Sequence, residues 1–253
     1  MRVLRRSFLA ACLGILAAAP GVAAQGANLA FAYRVKVNVG QERAFESAMR
    51  EHAAFRQEQG EPFSWEVYQV MFGDDAGQYL IRSANHAWAD LDTYTGMGDF
   101  QQAVGDQFNS TVLPFVAESS SWVSVLDTAM SVMPPNMEEM NVFMVTRVWV
   151  ESEGAMEMEQ AMRTVRETAM ANDMHYVVLR TVVGAQGSDL ALVIPAADFA
   201  GLEEPSPSMD EALMQDLGED GMMELYGSWL SGIEETSTSI IVLRRDLSVA
   251  GSG

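Results

Sequence analysis

Arg34-Val35-Lys36-Val37 is written again further along the chain as Arg147-Val148-Trp149-Val150, and at the same offset Ala48-Met49-Arg50 returns as Ala161-Met162-Arg163. A slightly shorter offset then relates Val67 to Val178, Gly73 to Gly184, Trp88 to Phe199 and Leu91 to Leu202. Self-similarity at one long period predicts two structural units of one kind, and the hydrophobic period inside each unit says which kind. Around the quoted stretch, Phe31, Tyr33, Val35, Val37 and Val39 alternate with Ala32, Arg34, Lys36 and Asn38, the pattern of a strand with one buried face. From 41 to 58 the spacing turns helical, with Phe45, Met49, His52 and Arg56 on one stripe. Strands are expected over 63–72 and 78–84, joined by turn chemistry at Asp74-Asp75-Ala76-Gly77, with a bulge where the apolar phase slips between Val67 and Tyr68. A helical region from Trp88 to about Val116, interrupted at Gly96-Met97-Gly98, leads to a last strand over 120–126. The second unit reads alike: strand 141–150, a helix carrying Ala155, Met158, Met162, Val165 and Ala169, strands 175–183 and 189–194, a helix near 208–230 and strand 238–244.

The resulting β-α-β-β-α-β string is the ferredoxin-like motif, an antiparallel sheet with both helices on one face and the other face bare. The fold class is α+β: two tandem ferredoxin-like repeats packed sheet to sheet, so that each covers the other's bare face. In element order and repetition this resembles the dimeric α+β barrel superfamily in its fused, two-repeat form. That resemblance implies small quinol-type monooxygenases, haem-degrading oxygenases and chlorite-dismutase-like haem proteins as relatives. The expected division is a leader over 1–24, a first repeat over 28–130, a Met/Pro linker over 131–139 and a second repeat over 140–247.

The leader has a basic start (Arg2, Arg5, Arg6), an apolar stretch from Phe8 to Ala19 too short to span a bilayer, and small residues at Val22-Ala23-Ala24. Cleavage is expected between Ala24 and Gln25. Arg5-Arg6-Ser7-Phe8-Leu9 resembles the twin-arginine export motif, an ordinary secretory signal being the other reading. The address is therefore periplasmic or secreted. Cys12 is the only cysteine and leaves with the leader, which excludes disulfides, thiolate catalysis and cysteine metal sites in the mature chain. The net charge of −20 at pH 7 disfavours nucleic acid and anionic lipid as partners. No second apolar run is long enough to span a membrane after cleavage.

Strand alternation sends Val35, Val37, Val148 and Val150 beneath the helices and leaves Arg34 and Arg147, with Trp149, for the opposite face. Together with Glu66, Arg82 and Trp65, these form the expected lining of a polar lumen able to bind an anionic or quinone-like molecule. Alternatively, Arg34 and Arg147 are paired with Asp or Glu across the sheet, or emerge at its rim. His52 falls on the apolar stripe of its helix and reads as a core histidine; neither His86 nor His175 lies in a recognised ligand motif, so the sequence argues against haem. Met133, Met137 and Met140, or Met170 and Met174 with His175, are the thioether groupings that would suit copper. Methionine as core filler and linker explains them as well, so the cofactor stays unknown. The leading expectation is an exported protein that holds a small, largely apolar ligand in the lumen or inter-repeat cleft in a non-catalytic, accessory role, with oligomerisation open. The alternatives are a cofactor-independent or haem-assisted monooxygenase-like enzyme, and an interaction module whose core is filled.

Overall fold

The computed structural model describes residues 28–184 and 189–252. The export motif at Arg5 and Arg6, Cys12 and the expected cleavage site at Ala24 and Gln25 lie outside the described residues. In chain order the elements are β1 (Leu29–Val37), α1 (Glu42–Glu58), β2 (Glu66–Phe72), β3 (Tyr79–His86), α2 (Trp88–Thr95), α3 (Gly98–Thr111) and β4 (Val116–Leu126). They continue with β5 (Val142–Val150), α4 (Ala155–Ala171), β6 (Val177–Val183), β7 (Leu190–Ala196), α5 (Met209–Ser231) and β8 (Ile233–Leu243). The fold is mixed α+β, and all eight strands are antiparallel to their neighbours.

The strands close into one barrel in the order β1-β3-β2-β8-β5-β7-β6-β4. This corrects the expectation of two sheets stacked face to face. β2 hydrogen-bonds to β8 and β4 to β6, so four-stranded arcs are joined along both edges. Closure satisfies every edge strand, which two stacked sheets would leave open to water or to other chains. The bare faces are still turned towards one another, across an interior cavity.

A barrel wall with helices outside is buried on both faces, and that explains where strand reading failed. Val67 packs beneath α1 and Tyr68 packs inside the barrel, both nearly inaccessible, without any irregularity between them. The apparent phase slip is ordinary alternation with both sides apolar. The register shift in this strand occurs instead between Val70 and Phe72, opposite β8. β4 and β8 also begin earlier than their polar sequences suggest. Val35 pairs with Ser119 and Lys36 with Glu118, so partner strands rather than intrinsic propensity set the boundary.

Three of the apolar clusters among the described residues follow from this layering. Phe45, Met49, Val35, Val67 and Tyr79 fill the space between α1 and the sheet. Met158, Met162, Val148, Val178 and Leu190 do the same beneath α4, where Met130 also inserts. Inside the barrel, Tyr68, Val70, Phe143, Val177, Val193 and Ile241 form a third cluster, flanked by Met137 and Met140. Met137 of the Met/Pro segment and the adjoining Met140 thus pack against the barrel interior. None of the described helices is long and apolar enough to cross a membrane.

Candidate functional site

Two cavities flank β1, one on each face. The lumen holds about 400 Å3 and is lined by Arg34, Glu66, Arg82 and Arg147 among the residues expected there. Asp75, in the turn between β2 and β3, accepts from two arginines, at 3.1 Å from Arg34 and 2.7 Å from Arg147. Arg147 also donates to Ser237 (3.1 Å) and lies over Trp149, while Arg34 lies over Trp122. Burial and then the neighbouring Arg147 pull the Arg34 guanidinium below its ordinary value, against the pull of Asp75. Glu66 sits 3.6 Å from Arg82 and accepts from the Tyr68 hydroxyl at 2.7 Å. Trp149 does not reach the cavity itself but backs Arg147. Trp65 is placed elsewhere: alternation with Glu66 puts its indole on the helix side of the sheet.

That helix side contains the second cavity, about 390 Å3, between the sheet and α1–α3. Its walls are mostly apolar, with Val35, Met49, Val67, Ile81, Val104 and Phe108. One polar cluster interrupts them. Imidazole His52, only 3% exposed, uses Nδ1 to meet the Gln107 side-chain oxygen. A carbonyl oxygen can only accept, so the proton sits on Nδ1 and Nε2 keeps its lone pair, faced by Arg56 Nη1 at 3.3 Å. Burial is the main cause that holds the His52 pKa below the ordinary histidine value; Arg56 acts in the same direction and Gln107 against it.

Arg56 is the hub. It donates through Nε to Glu61 (2.7 Å) and through Nη2 to the Tyr94 hydroxyl (2.6 Å), and its guanidinium lies 5.0 Å from the centre of the Trp65 ring. Glu61 is fully buried and also accepts the Phe63 amide at 3.0 Å, so its charge is met on both oxygens. Desolvation raises the Tyr94 hydroxyl, which therefore stays protonated near neutrality. Trp65 Nε1 is buried and has no hydrogen-bond partner among the described residues. The cluster thus offers a neutral base, a fixed cation beside it and an unsatisfied donor within an otherwise mostly apolar chamber. The helical period places His52 and Arg56 on one stripe and reads His52 as a core residue, because nothing in that period announces that α2 and α3 stand off far enough to leave a void. Glycine punctuation at Gly96-Met97-Gly98 is the available signal.

The other histidines serve packing. His86 donates from Nε2 to Ser83 Oγ (2.7 Å), which itself donates to the Ser64 carbonyl, and the ring lies between Phe31 and Phe63. His175 sits beside Asp173 at 3.6 Å. Among the described residues no group of three or more His, Asp or Glu is arranged to hold a metal ion.

No protein-family model matches this sequence, and no curated protein matches it. Solved structures do. An anthrone oxidase-like protein aligns with a TM-score of 0.55 at 10% identity, covering 92% of this chain and 97% of that one. A proposed monooxygenase from Lactobacillus acidophilus aligns at 0.51 and 11% identity, over 88% of this chain and 96% of its own. An arginine-to-alanine variant of chlorite dismutase from Candidatus Nitrospira defluvii aligns at 0.50 and 8% identity, covering 88% and 94%. Such low identity establishes the fold, that of dimeric α+β barrel proteins, and nothing finer. These neighbours carry the names of enzymes, however, so the expectation of a non-catalytic accessory binder is overturned, and the oxygenase-like alternative fits them better.

A haem, which the resemblance drawn from the sequence implies for some relatives, needs an imidazole or equivalent axial ligand facing the chamber. Among the described residues His52 is the one imidazole lining either cavity; its Nδ1 is held by Gln107, and the Arg56 guanidinium 3.3 Å from Nε2 would repel iron there. Helices α4 and α5 carry no histidine. The residues present therefore do not fit a haem.

Proposed function

We propose that this protein is a cofactor-independent oxygenase that works in the helix-side chamber on a planar, conjugated substrate with an acidic hydroxyl or enolisable carbonyl. The observation that carries the proposal is the buried His52, held neutral with its Nε2 lone pair directed at Arg56 inside an apolar cavity large enough for a small aromatic molecule. The barrel likeness to an anthrone oxidase-like protein and a proposed monooxygenase supports it.

The chemistry follows from the residues. A substrate hydroxyl approaching Arg56 meets Nε2 of His52, which takes the proton and becomes an imidazolium steadied by the Gln107 oxygen. Arg56 then faces the new oxyanion, and exclusion of water strengthens that attraction. The electron-rich anion passes one electron to dioxygen; the two radicals combine to a carbon-bound peroxide anion, which takes the proton back from the His52 imidazolium, and the resulting hydroperoxide loses water to leave a carbonyl. For a methylene substrate the balance is CH2 plus O2 giving C=O plus H2O, with dioxygen as the sole oxidant. Glu61 is a positioning residue that aims Arg56, and the free Trp65 N–H provides a donor for a substrate or peroxide oxygen.

Anthrone in an oxygen-electrode cell tests this. One O2 consumed per anthraquinone formed is expected, with His52→Ala lowering kcat by about 10²–10⁴-fold. Absence of turnover on anthrone and on a panel of hydroquinones, or equal rates for His52→Ala and the parent, would sink the reading.

Two further readings go with the proposal. The bounds of β1 and β5 differ by the same interval as those of α1 and α4, which supports descent of both halves from one duplicated unit. The leader sequence supports export to the periplasm or beyond.

A further inference from the structure

β1 is a shared wall. Tyr33 and Val35 face the helix-side chamber, and Ala32 and Arg34 face the lumen. The lumen is a second enclosed space whose chemistry differs from that of the chamber, and the proposed oxygenase reaction uses none of it.

Its charge is unbalanced. Arg34, Arg82, Arg147 and Arg245 line it against Glu66, Asp75 and Glu138, leaving one surplus positive charge inside a protein whose net charge is −20. The pairing locates the surplus. Arg82 has Glu66, whereas Arg34 and Arg147 share the single Oδ2 of Asp75, whose Oδ1 accepts from Gln78 at 3.1 Å. Asp74, which reaches Ser237 at 3.3 Å, lies outside the lining. β1 and β5 run in the same direction around the barrel, so their arginines converge at one end of it. A half-buried cation pair with one carboxylate between them is an incompletely matched ion cluster, because desolvating a charge even in part is costly unless it is matched.

A second polar group points to the same vacancy in partners. Ser239, 7% exposed and part of the lumen lining, has a buried hydroxyl with no hydrogen-bond partner among the described residues. Beyond it the wall is apolar, formed by Leu80, Phe143, Val145, Leu179, Val193 and Ile241. A guanidinium with spare donors at one end and an aliphatic and aromatic wall along the rest select a molecule with one anionic group on an apolar body.

We propose that the lumen is a binding site for an amphipathic carboxylate, with the head group on Arg34 and Arg147 beside Asp75 and the apolar body along the interior of the barrel. Asp75 shows how a carboxylate sits on the arginine pair and sets the ceiling on affinity, because it competes for the same donors.

Isothermal titration of the mature protein with dodecanoate tests it, with dodecanol as the uncharged control of equal length. One equivalent of dodecanoate is expected, with dodecanol and the Arg34→Met variant each binding about tenfold or more weakly, as the loss of a charge-assisted contact requires. Asp75→Asn is expected to tighten dodecanoate about tenfold. A gain in affinity cannot arise from misfolding, so this variant guards against a loss that merely reports instability. Val145→Trp, which fills the lumen, abolishes binding, while Val104→Trp, which fills the chamber, leaves it intact. The proposal is overturned if dodecanoate does not saturate, if dodecanol matches it, if Asp75→Asn weakens binding, or if Val104→Trp rather than Val145→Trp removes it. Because each arm reads binding and not turnover, failure here leaves the oxygenase reading standing, and failure of turnover leaves this site standing.

Discussion

Replacing Glu61 by Gln keeps the shape of the side chain and removes its charge, leaving the Arg56 guanidinium, 16% exposed, without a counter-ion. Glu61 is fully buried and receives Arg56 Nε at 2.7 Å and the Phe63 amide at 3.0 Å. Breaking a buried pair by removing one partner costs about 3–5 kcal/mol. Arg56 keeps Tyr94 at 2.6 Å and the face of Trp65, and it retains some water, so the lower end applies, about 3 kcal/mol. For a chain of this size that corresponds to a fall in Tm of about 6–12 °C. Removing both charges in Glu61→Gln/Arg56→Met relieves the unpaired cation, so the double variant should lie closer to the parent than the sum of the singles by about 2 kcal/mol. Urea unfolding followed by far-UV circular dichroism gives the free energies, and Trp65 fluorescence reports the local change. The reasoning is refuted if Glu61→Gln costs less than about 1 kcal/mol or if the two changes are additive, since either result means that the pair is solvated as a surface pair would be.

Further expectations follow from other parts of the fold. The buried His52 and His86 both have lowered pKa values, chiefly through burial, so the unfolded chain takes up protons that the fold refuses as pH falls below about 6.5. Stability should therefore decline from about pH 6.5 downwards, and His52→Phe should flatten that decline when urea midpoints are compared at pH 7.5, 6.5 and 5.5; an unchanged slope would rule out His52 as the cause. A Cβ at Gly154 would lie 2.0 Å from the Ser231 carbonyl oxygen, where α4 starts against the end of α5. Gly154→Ala should consequently cost about 1–3 kcal/mol in a thermal melt, and a neutral result would mean that these two helix ends do not touch. Mass spectrometry of protein recovered from its own cell envelope should show an amino terminus at Gln25, and a full-length chain in that fraction would contradict the leader assignment.

The sequence was most legible where one period ran unopposed. The stripe of Phe45, Met49 and His52 announced α1, the double glycine around Met97 announced the break between α2 and α3, and the alternation around Arg34-Val35 and Arg147-Val148 announced a strand at each place. It was least legible in β2, where burial on both faces erased alternation, and in the polar starts of β4 and β8, whose strand character comes from their neighbours. Of the residues expected in the lumen, Arg34, Arg147, Glu66 and Arg82 line it, because parity along a strand fixes the face of each side chain. Trp65 failed by that same parity, one position from Glu66, and Trp149 sits behind Arg147 instead of in the cavity.

What the amino-acid order settles by itself, then, is local: period, parity, caps and breaks depend on neighbours a few positions away, and these specify the elements and the faces they turn. Only the tertiary structure could decide that the edges of the strands pair into a closed wall, that Asp75 from a turn reaches two arginines far from it in sequence, and that His52, Arg56, Glu61, Tyr94 and Gln107 meet around one void. Both the joining of edges and the presence of a cavity depend on distances between elements, and no single segment carries that information.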